Sequence, residues 1–263
     1  MSARDALPLA ELAARARAAS DPRALAGLLR ALRRDRRAGA AALAETLLRR
    51  LERMRRERAR LARLFARHRR LRRAGAARVA GVDEVGVGPL AGPVVAAAVI
   101  LPDRALLPGL ADSKQLPRAT RERLAEAIRA QAVAFSIGEV WPAELDRLNV
   151  YRAALEAMRR AVVGLAVEPA HVLVDARTIP GIAPAQTSIV GGDATEAPIA
   201  AASIVAKVYR DSIMCRLELE HPGYGFARHM GYSTREHLEA LRRLGPSPVH
   251  RRSFTPCSQL PLL

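Results

Sequence analysis

Four acidic side chains stand where a carboxylate is costly. Asp83 and Glu84 lie in Gly81-Val82-Asp83-Glu84-Val85-Gly86-Val87-Gly88-Pro89, Asp175 ends Val172-Leu173-Val174-Asp175, and Asp193 follows Gly191 and Gly192. Each adjoins an apolar run or a glycine turn, where an ionised carboxyl needs a cation or several donors. Strand ends would deliver such oxygens to one edge of a sheet. Like charges brought that close stay ionised only with hard cations between them. No His or Cys cluster accompanies the acids, which argues against zinc and for Mg2+ or Mn2+. All-oxygen sites of this kind complete their coordination with substrate phosphates, and a pair of ions suits in-line displacement at a phosphodiester. One obstacle is geometric: neighbours on a regular strand face opposite ways. The strand is therefore expected to leave its pleat near Gly86 and Gly88 so that Asp83 and Glu84 serve one cluster. The plainer alternative is that these two acids only start a turn.

Other residues suit a nucleic-acid substrate. Gly86-Val87-Gly88 offers backbone N–H groups that no side chain obstructs, able to reach a phosphate or a ribose hydroxyl. The GxGxxxG spacing through Gly92, with Pro89 inside it, is not the dinucleotide fingerprint. Of 43 basic residues only Lys114 and Lys207 are lysine, so a compact ammonium is expected to matter at those two positions. Ser203, in the same apolar stretch as Lys207, is grouped with them as a substrate contact. Tyr232 is expected to stack on a sugar or base, whereas Tyr224 and Phe226 read equally well as core. His229, His237 and His250 lack metal-ligand spacing and read as structural or phosphate-facing.

The elements that must position these groups begin after Gly75. Residues 78–85 and 94–101 read as paired strands and 132–140 as a third. Residues 120–131, 149–165 and 198–219 read as helices, the last with Pro198 in its first turn. Residues 172–175 read as a short buried strand, and Ser233 to Glu236 as a capping box opening a further helix. Strands followed by alternating helices and strands imply an α/β domain with a mixed sheet.

Residues 1–75 are rich in Ala, Leu and Arg, strong helix formers. Leu47, Leu51, Met54, Leu61, Leu64, Phe65 and Leu71 trace an amphipathic stripe interrupted by Arg58. Ser20-Asp21-Pro22 marks a break and an N-cap, and Gly39 a second break. Residues 1–78 hold 23 Arg against 7 Asp or Glu, a net of +16, while residues 79–263 hold 20 basic and 19 acidic residues, a net of +1. A solvated basic arm for nucleic acid follows, and its seven acids weigh against a mitochondrial presequence. No apolar run is long enough to span a membrane. Cys215 and Cys257, the only cysteines, stand in unrelated contexts, which points to a reducing, cytoplasmic compartment.

In order and spacing these motifs resemble ribonuclease HII, the bacterial type 2 ribonuclease H, from Ala80 to about Pro256, including the closing run Arg242 to Phe254. The resemblance implies a ribonuclease H-like mixed sheet flanked by helices at 76–256, with the helical extension at 1–75, C-terminal helices, and a tail at 257–263. It implies hydrolysis of RNA in RNA–DNA hybrids and at ribonucleotides embedded in duplex DNA, leaving a 3′-hydroxyl and a 5′-phosphate. By position, Asp83, Glu84, Asp175 and Asp193 correspond to the family's catalytic and metal-binding acids, Gly86 to Gly88 to the loop that recognises the 2′-hydroxyl, and Tyr232 to the tyrosine on the adjoining sugar. Two departures stand out: Val87 and Gly192 replace the family's usual Arg and Lys. Gln259, Leu260, Leu262 and Leu263 resemble a short peptide that docks on the β sliding clamp, with packing on the chain's own domain as the alternative. Two rival functions remain at this point, a hybrid-binding protein without turnover and another metal nuclease of the same fold.

Overall fold

The computed structural model describes residues 7–259, which fall into two compact units divided after Ala62. In the first, α1 (Leu9–Ala18), α2 (Pro22–Arg34) and α3 (Ala40–Leu64) bury Leu12, Leu25, Leu29, Leu32, Leu47 and Leu51 in a core of their own. Asp21 caps α2 by accepting from the N–H groups of Arg23 and Ala24, with Pro22 at the first helical position. Arg50 closes the end of α1 by donating to the carbonyls of Ala16 and Ala19, at 2.5 and 2.7 Å. The division at residue 62 falls earlier than the expected boundary at 75, because α4 (Ala66–Arg73) belongs to the second unit. Leu71 and Ala76 pack against Val79, Leu173 and Ile199, and Arg67 pairs with Glu196 at 2.8 Å.

The second unit continues with β1 (Val79–Val85), β2 (Val94–Ile100), α5 (Arg118–Gln131), β3 (Ala134–Val140), α6 (Pro142–Leu148), α7 (Val150–Val163), β4 (His171–Asp175) and β5 (Ala185–Ile189). It ends with α8 (Gly192–Thr195), α9 (Ala197–Glu220), α10 (Phe226–His229) and α11 (Arg235–Leu244). The sheet order is β3-β2-β1-β4-β5, antiparallel from β3 to β1 and parallel from β1 to β5. The expected mixed sheet and its flanking helices are therefore present, with ends shifted by one to two residues. Among the elements not anticipated, β5 is a polar edge strand, Ala-Gln-Thr-Ser-Ile, without the apolar alternation that marks a half-buried strand. The expected cap at Ser233 also moves by one residue: the Thr234 hydroxyl accepts from the His237 N–H and caps α11.

Two glycines let helices approach the sheet from opposite sides. A Cβ on Gly81 would lie 2.0 Å from the carbonyl carbon of Pro198, so the start of α9 rests directly on β1. On the other face a Cβ on Gly138 would lie 2.0 Å from the Ala157 carbonyl oxygen of α7. β2, covered by both helices, is buried along its whole length, which suits its Val-Val-Ala-Ala-Ala-Val-Ile sequence.

The loop after β1 is clamped by two arginines with no exposed surface. Arg251 donates to the carbonyls of Gly86 (2.5 Å), Val87 (2.8 Å) and Gly92 (2.9 Å), and Arg210 to those of Pro93 (3.0 Å), Ala91 (3.1 Å) and Met230 (3.0 Å). Burial pushes Arg210 down to about 10 and Arg251 to about 9, and both stay cationic at neutral pH. Gly86 adopts a φ of 86°, and a Cβ there would lie 2.2 Å from Arg210 Nε. Replacing Arg251 by Met leaves several buried carbonyls without donors, at about 1–3 kcal/mol each. We expect Arg251→Met to lower unfolding free energy by more than about 3 kcal/mol, read as a lower denaturant midpoint with unchanged slope.

Candidate active site

The parallel pairing of β1 with β4 and of β4 with β5 gathers the acids. Val82 is level with Val174, so one step on Asp83 comes level with Asp175, which in turn is level with Ile189. The chain leaves β5 at the same edge and turns through Gly191, in the left-handed region at φ 67°, into α8 with Asp193 in its first turn. The Gly192 N–H donates to Asp175 Oδ1 at 2.7 Å. A side chain at Gly192 would meet Ile199 Cδ1 at 2.5 Å and Asp175 Oδ1 at 3.4 Å.

The expected departure of β1 from its pleat does not occur. Pairing with β2 stays regular through Asp83↔Ala97, Glu84↔Ala96 and Val85↔Val95. Asp83 therefore shares the α9 face with Gly81, and Glu84 shares the α7 face with Ala80 and Val82. On the α9 face Ser203 hydrogen-bonds Asp83, and Ser203 Oγ lies 2.9 Å from Ser113 Oγ. On the α7 face Glu84 Oε1 meets Arg177 Nη2 at 3.1 Å. Both acids feel the charge of Asp175, which ends the neighbouring strand level with Asp83.

Burial is the first cause that raises these carboxyls, and their neighbours add to it. Asp83 is pushed well above the ordinary range by burial and then by Glu84, Asp175 and Asp193, against the Ser203 hydrogen bond. Glu84 is raised by burial and Asp175, with Arg177 and Lys114 opposing. Asp175 is raised by burial and Asp193, with the Gly192 N–H opposing. Lys114 Nζ lies 3.2 Å from Asp193 Oδ2; burial works against its charge, but Asp193, Asp112 and Asp83 together hold it above its usual value. Among the described residues no three His, Cys, Asp or Glu side chains are set, as they stand, to hold a metal ion. Two of the four acids instead face Arg177 and Lys114. The donor set of four crowded carboxylates nevertheless has the chemistry of a hard divalent cation site.

Not every sequence candidate joins the acids. Lys207 Nζ pairs with Asp211 Oδ1 at 2.6 Å, one turn along α9, where Arg121 also approaches at 3.8 Å. The Val87 side chain packs on the core of the α7 face. Tyr232 is 43% exposed and lies near both buried guanidiniums. The three histidines carry its backbone rather than a metal. The hydrogen-bond network implies neutral tautomers: His237 Nδ1 donates to the Tyr232 carbonyl (2.9 Å), His250 Nε2 donates to His237 Nε2 (3.1 Å), and His250 Nδ1 accepts from the Ser247 N–H (3.0 Å). Burial drives His250 down to about 3, in keeping with that assignment. Tyr224 and Phe226 stack at 5.2 Å in the same cluster. Of the tail candidates, Gln259 ends a short 3-10 turn, and Leu260, Leu262 and Leu263 lie outside the described residues.

Arg177, Arg210 and Arg251 escaped the sequence reading. A cation two residues beyond a strand-ending acid was a usable signal for Arg177, whereas Arg210 is one of several charges in the second half of α9 and carried none. Arg251 sat unremarked among other arginines.

The Ribonuclease HII family profile matches residues 80–257. A Myxococcus xanthus protein described as Ribonuclease HII is 51% identical over 231 residues, covering 88% of this chain and 79% of its own length. Among solved structures, the ribonuclease H2 of Pyrococcus horikoshii aligns with a TM-score of 0.58 at 25% identity, over 69% of this chain and 96% of its own. The RNase HII of Archaeoglobus fulgidus, solved in complex with PCNA, aligns with a TM-score of 0.54 at 28% identity, over 63% of this chain and 87% of its own.

Because the folded chain raises the Asp83 carboxyl, it binds that proton more tightly than the unfolded chain does. Stability from this group therefore falls as pH rises from the ordinary carboxylate value to the raised one, and stays low above it. Asp83→Asn, which cannot ionise, is expected to melt above the parent chain at pH 7.5 in EDTA, with the gap narrowing as pH is lowered. A parent chain that melts higher throughout would contradict the electrostatic account.

Proposed function

The chain belongs to the ribonuclease HII family and is a ribonuclease H endonuclease, and we propose that it cleaves RNA in RNA–DNA hybrids and at ribonucleotides embedded in duplex DNA. The products proposed are a 3′-hydroxyl and a 5′-phosphate. The observation that carries this reading is the gathering of four carboxylates at one sheet edge, directly beside a glycine loop whose carbonyls are tied back by Arg210 and Arg251.

In this reading Asp83, Glu84, Asp175 and Asp193 hold Mg2+ or Mn2+. A bound divalent ion supplies charge neutralisation at the phosphodiester and a more acidic water. The chain's own residues do the rest. Ser203 orients Asp83, and the Gly192 N–H orients Asp175. The exposed Lys114 ammonium draws the substrate phosphate toward the acids. The backbone of Gly86, Val87 and Gly88 reads the ribose 2′-hydroxyl, the group that distinguishes RNA from DNA, and Tyr232 packs against the neighbouring sugar. Lys207, bound to Asp211, takes a phosphate further along the strand.

Residues 1–75 are proposed as a duplex-binding arm. Its charge is densest at residues 63–75, with six Arg and no acid, a segment that belongs to the same unit as the acids. The tail, Gln259 to Leu263, is proposed to dock on a β sliding clamp, a class of partner supported by the Archaeoglobus fulgidus complex with PCNA. Among the described residues no helix is long and apolar enough to cross a membrane, and a cytoplasmic location is proposed.

The deciding measurement is cleavage of a duplex carrying one embedded ribonucleotide, compared with the all-DNA duplex. The parent chain should cut only the former, and Asp83→Asn, Glu84→Gln and Asp175→Asn should each lose more than about a hundredfold in turnover while still binding hybrid. Near-normal turnover in any of the three at saturating Mg2+ would remove the assignment. Truncations address arm and tail. Loss of residues 1–62 should flatten the slope of log affinity against log salt by roughly 0.9 per phosphate contact. Loss of residues 257–263 should abolish calorimetric binding to purified clamp. An unchanged slope would remove residues 1–62 from the arm, and unchanged clamp binding would refute the role of the tail.

A further inference from the structure

Arg177 follows Asp175 by two residues and is aimed back at the acids by the backbone. Ala176 adopts a φ of 50°, in the left-handed region, and its N–H is anchored on the Ile189 carbonyl at 3.0 Å. The guanidinium lies over the Tyr151 ring of α7, 5.2 Å from its centroid, and Nη2 reaches Glu84 Oε1 at 3.1 Å. Lys114 makes the comparable contact with Asp193, but its side chain is 77% exposed whereas that of Arg177 is 21% exposed. Arg177 is thus the more firmly fixed of the two cations. Its Nη1 is buried and has no acceptor among the described residues. A bidentate guanidinium–carboxylate pair uses both arms of the fork. Here the contact with Glu84 neutralises the acid while leaving the guanidinium half satisfied.

A divalent cation and a guanidinium compete for the same carboxylate oxygens, and they repel each other at separations of a few ångströms. We propose that Arg177 is a positioning residue that holds Glu84 as an internal counter-ion, and that a divalent cation entering among the four acids must displace it. The proposal rests on the metal reading of these acids. It makes Arg177 oppose cation entry, in contrast to a ligand or a second-row support that would promote it, and it stabilises the acids against their mutual repulsion when no cation is bound.

The test is a titration of the full EDTA-stripped chain with Mn2+, reading free Mn2+ by electron paramagnetic resonance. The parent chain is compared with Arg177→Met, which keeps an apolar stem over Tyr151 but no charge, and with Arg177→Lys. Arg177→Met should bind Mn2+ about two- to fivefold more tightly, the scale of one partly exposed ion pair. It should melt below the parent in EDTA, and the gap should shrink at saturating Mn2+. Arg177→Lys should return the affinity toward that of the parent. A purely structural arginine would lower melting with and without Mn2+ and leave the affinity alone. Unchanged or weaker Mn2+ binding by Arg177→Met overturns the proposal while leaving the metal reading intact. A parent chain that takes up no Mn2+ overturns the metal reading, and the proposal with it.

Discussion

Two buried guanidiniums, each hydrogen-bonded to several backbone carbonyls, set the geometry on which the rest of this site depends. A charge taken out of water is tolerated only when its donors are satisfied. Arg210 and Arg251 meet that demand with the carbonyls of Gly86, Val87, Ala91, Gly92, Pro93 and Met230. The loop after β1 is thereby drawn inward along its carbonyl side. The glycines follow from the same closeness: a Cβ at Gly86 would strike Arg210, and one at Gly231 would lie 2.6 Å from the Ala91 carbonyl oxygen. Since β1 runs straight into this loop, fixing the loop also fixes the end of the strand that carries Asp83 and Glu84.

The acids themselves push the other way. Parallel pairing of β1, β4 and β5 brings Asp83, Asp175 and the turn to Asp193 to a common edge, and burial there raises proton affinity before any mutual repulsion is counted. Such a cluster is a cost to the folded chain, and the surrounding structure offsets it with donors and cations: Ser203 on Asp83, the Gly192 N–H on Asp175, Lys114 on Asp193 and Arg177 on Glu84. Stability is conceded at this cluster, a common pattern in functional sites. Gly81 makes the arrangement possible, because only a residue without a side chain lets α9 lie on β1 and bring Ser203 over Asp83.

A second, smaller core supports the far side of the loop. Tyr224, Phe226, His229, His237 and His250 stack and hydrogen-bond with one another, and the neutral histidines hand a chain of hydrogen bonds from Ser247 to the Tyr232 carbonyl. In a chain with four Tyr, four Phe and one Trp, concentrating aromatic rings here gives Tyr232 a rigid base while its own ring stays partly exposed.

Much of this was legible in the residues alone. Asp83, Glu84, Asp175 and Asp193 stood out because carboxylates beside apolar runs and glycine turns are rare without a reason, and the main strands and helices followed from period-two and three-four spacing. The polar edge strand β5 was not legible, because its sequence has no buried face to pattern. Nor was the arrangement of Asp83 and Glu84: local geometry suggested that the strand must bend, whereas tertiary pairing keeps it straight and sends the two carboxylates to opposite faces, with Asp175 level with Asp83 on the neighbouring strand. Arg177, Arg210 and Arg251 were hidden among 41 arginines. Arg177 meets Glu84 across 93 positions of chain, Arg210 meets Pro93 across 117 and Arg251 meets Gly86 across 165. The sequence by itself determined which groups are chemically able to act, since side-chain type and neighbouring hydrophobicity are local properties. Which of them meet, on which face and beside which cation, was decided only by the fold, because strand register and helix packing set distances between residues that the chain order leaves unconstrained.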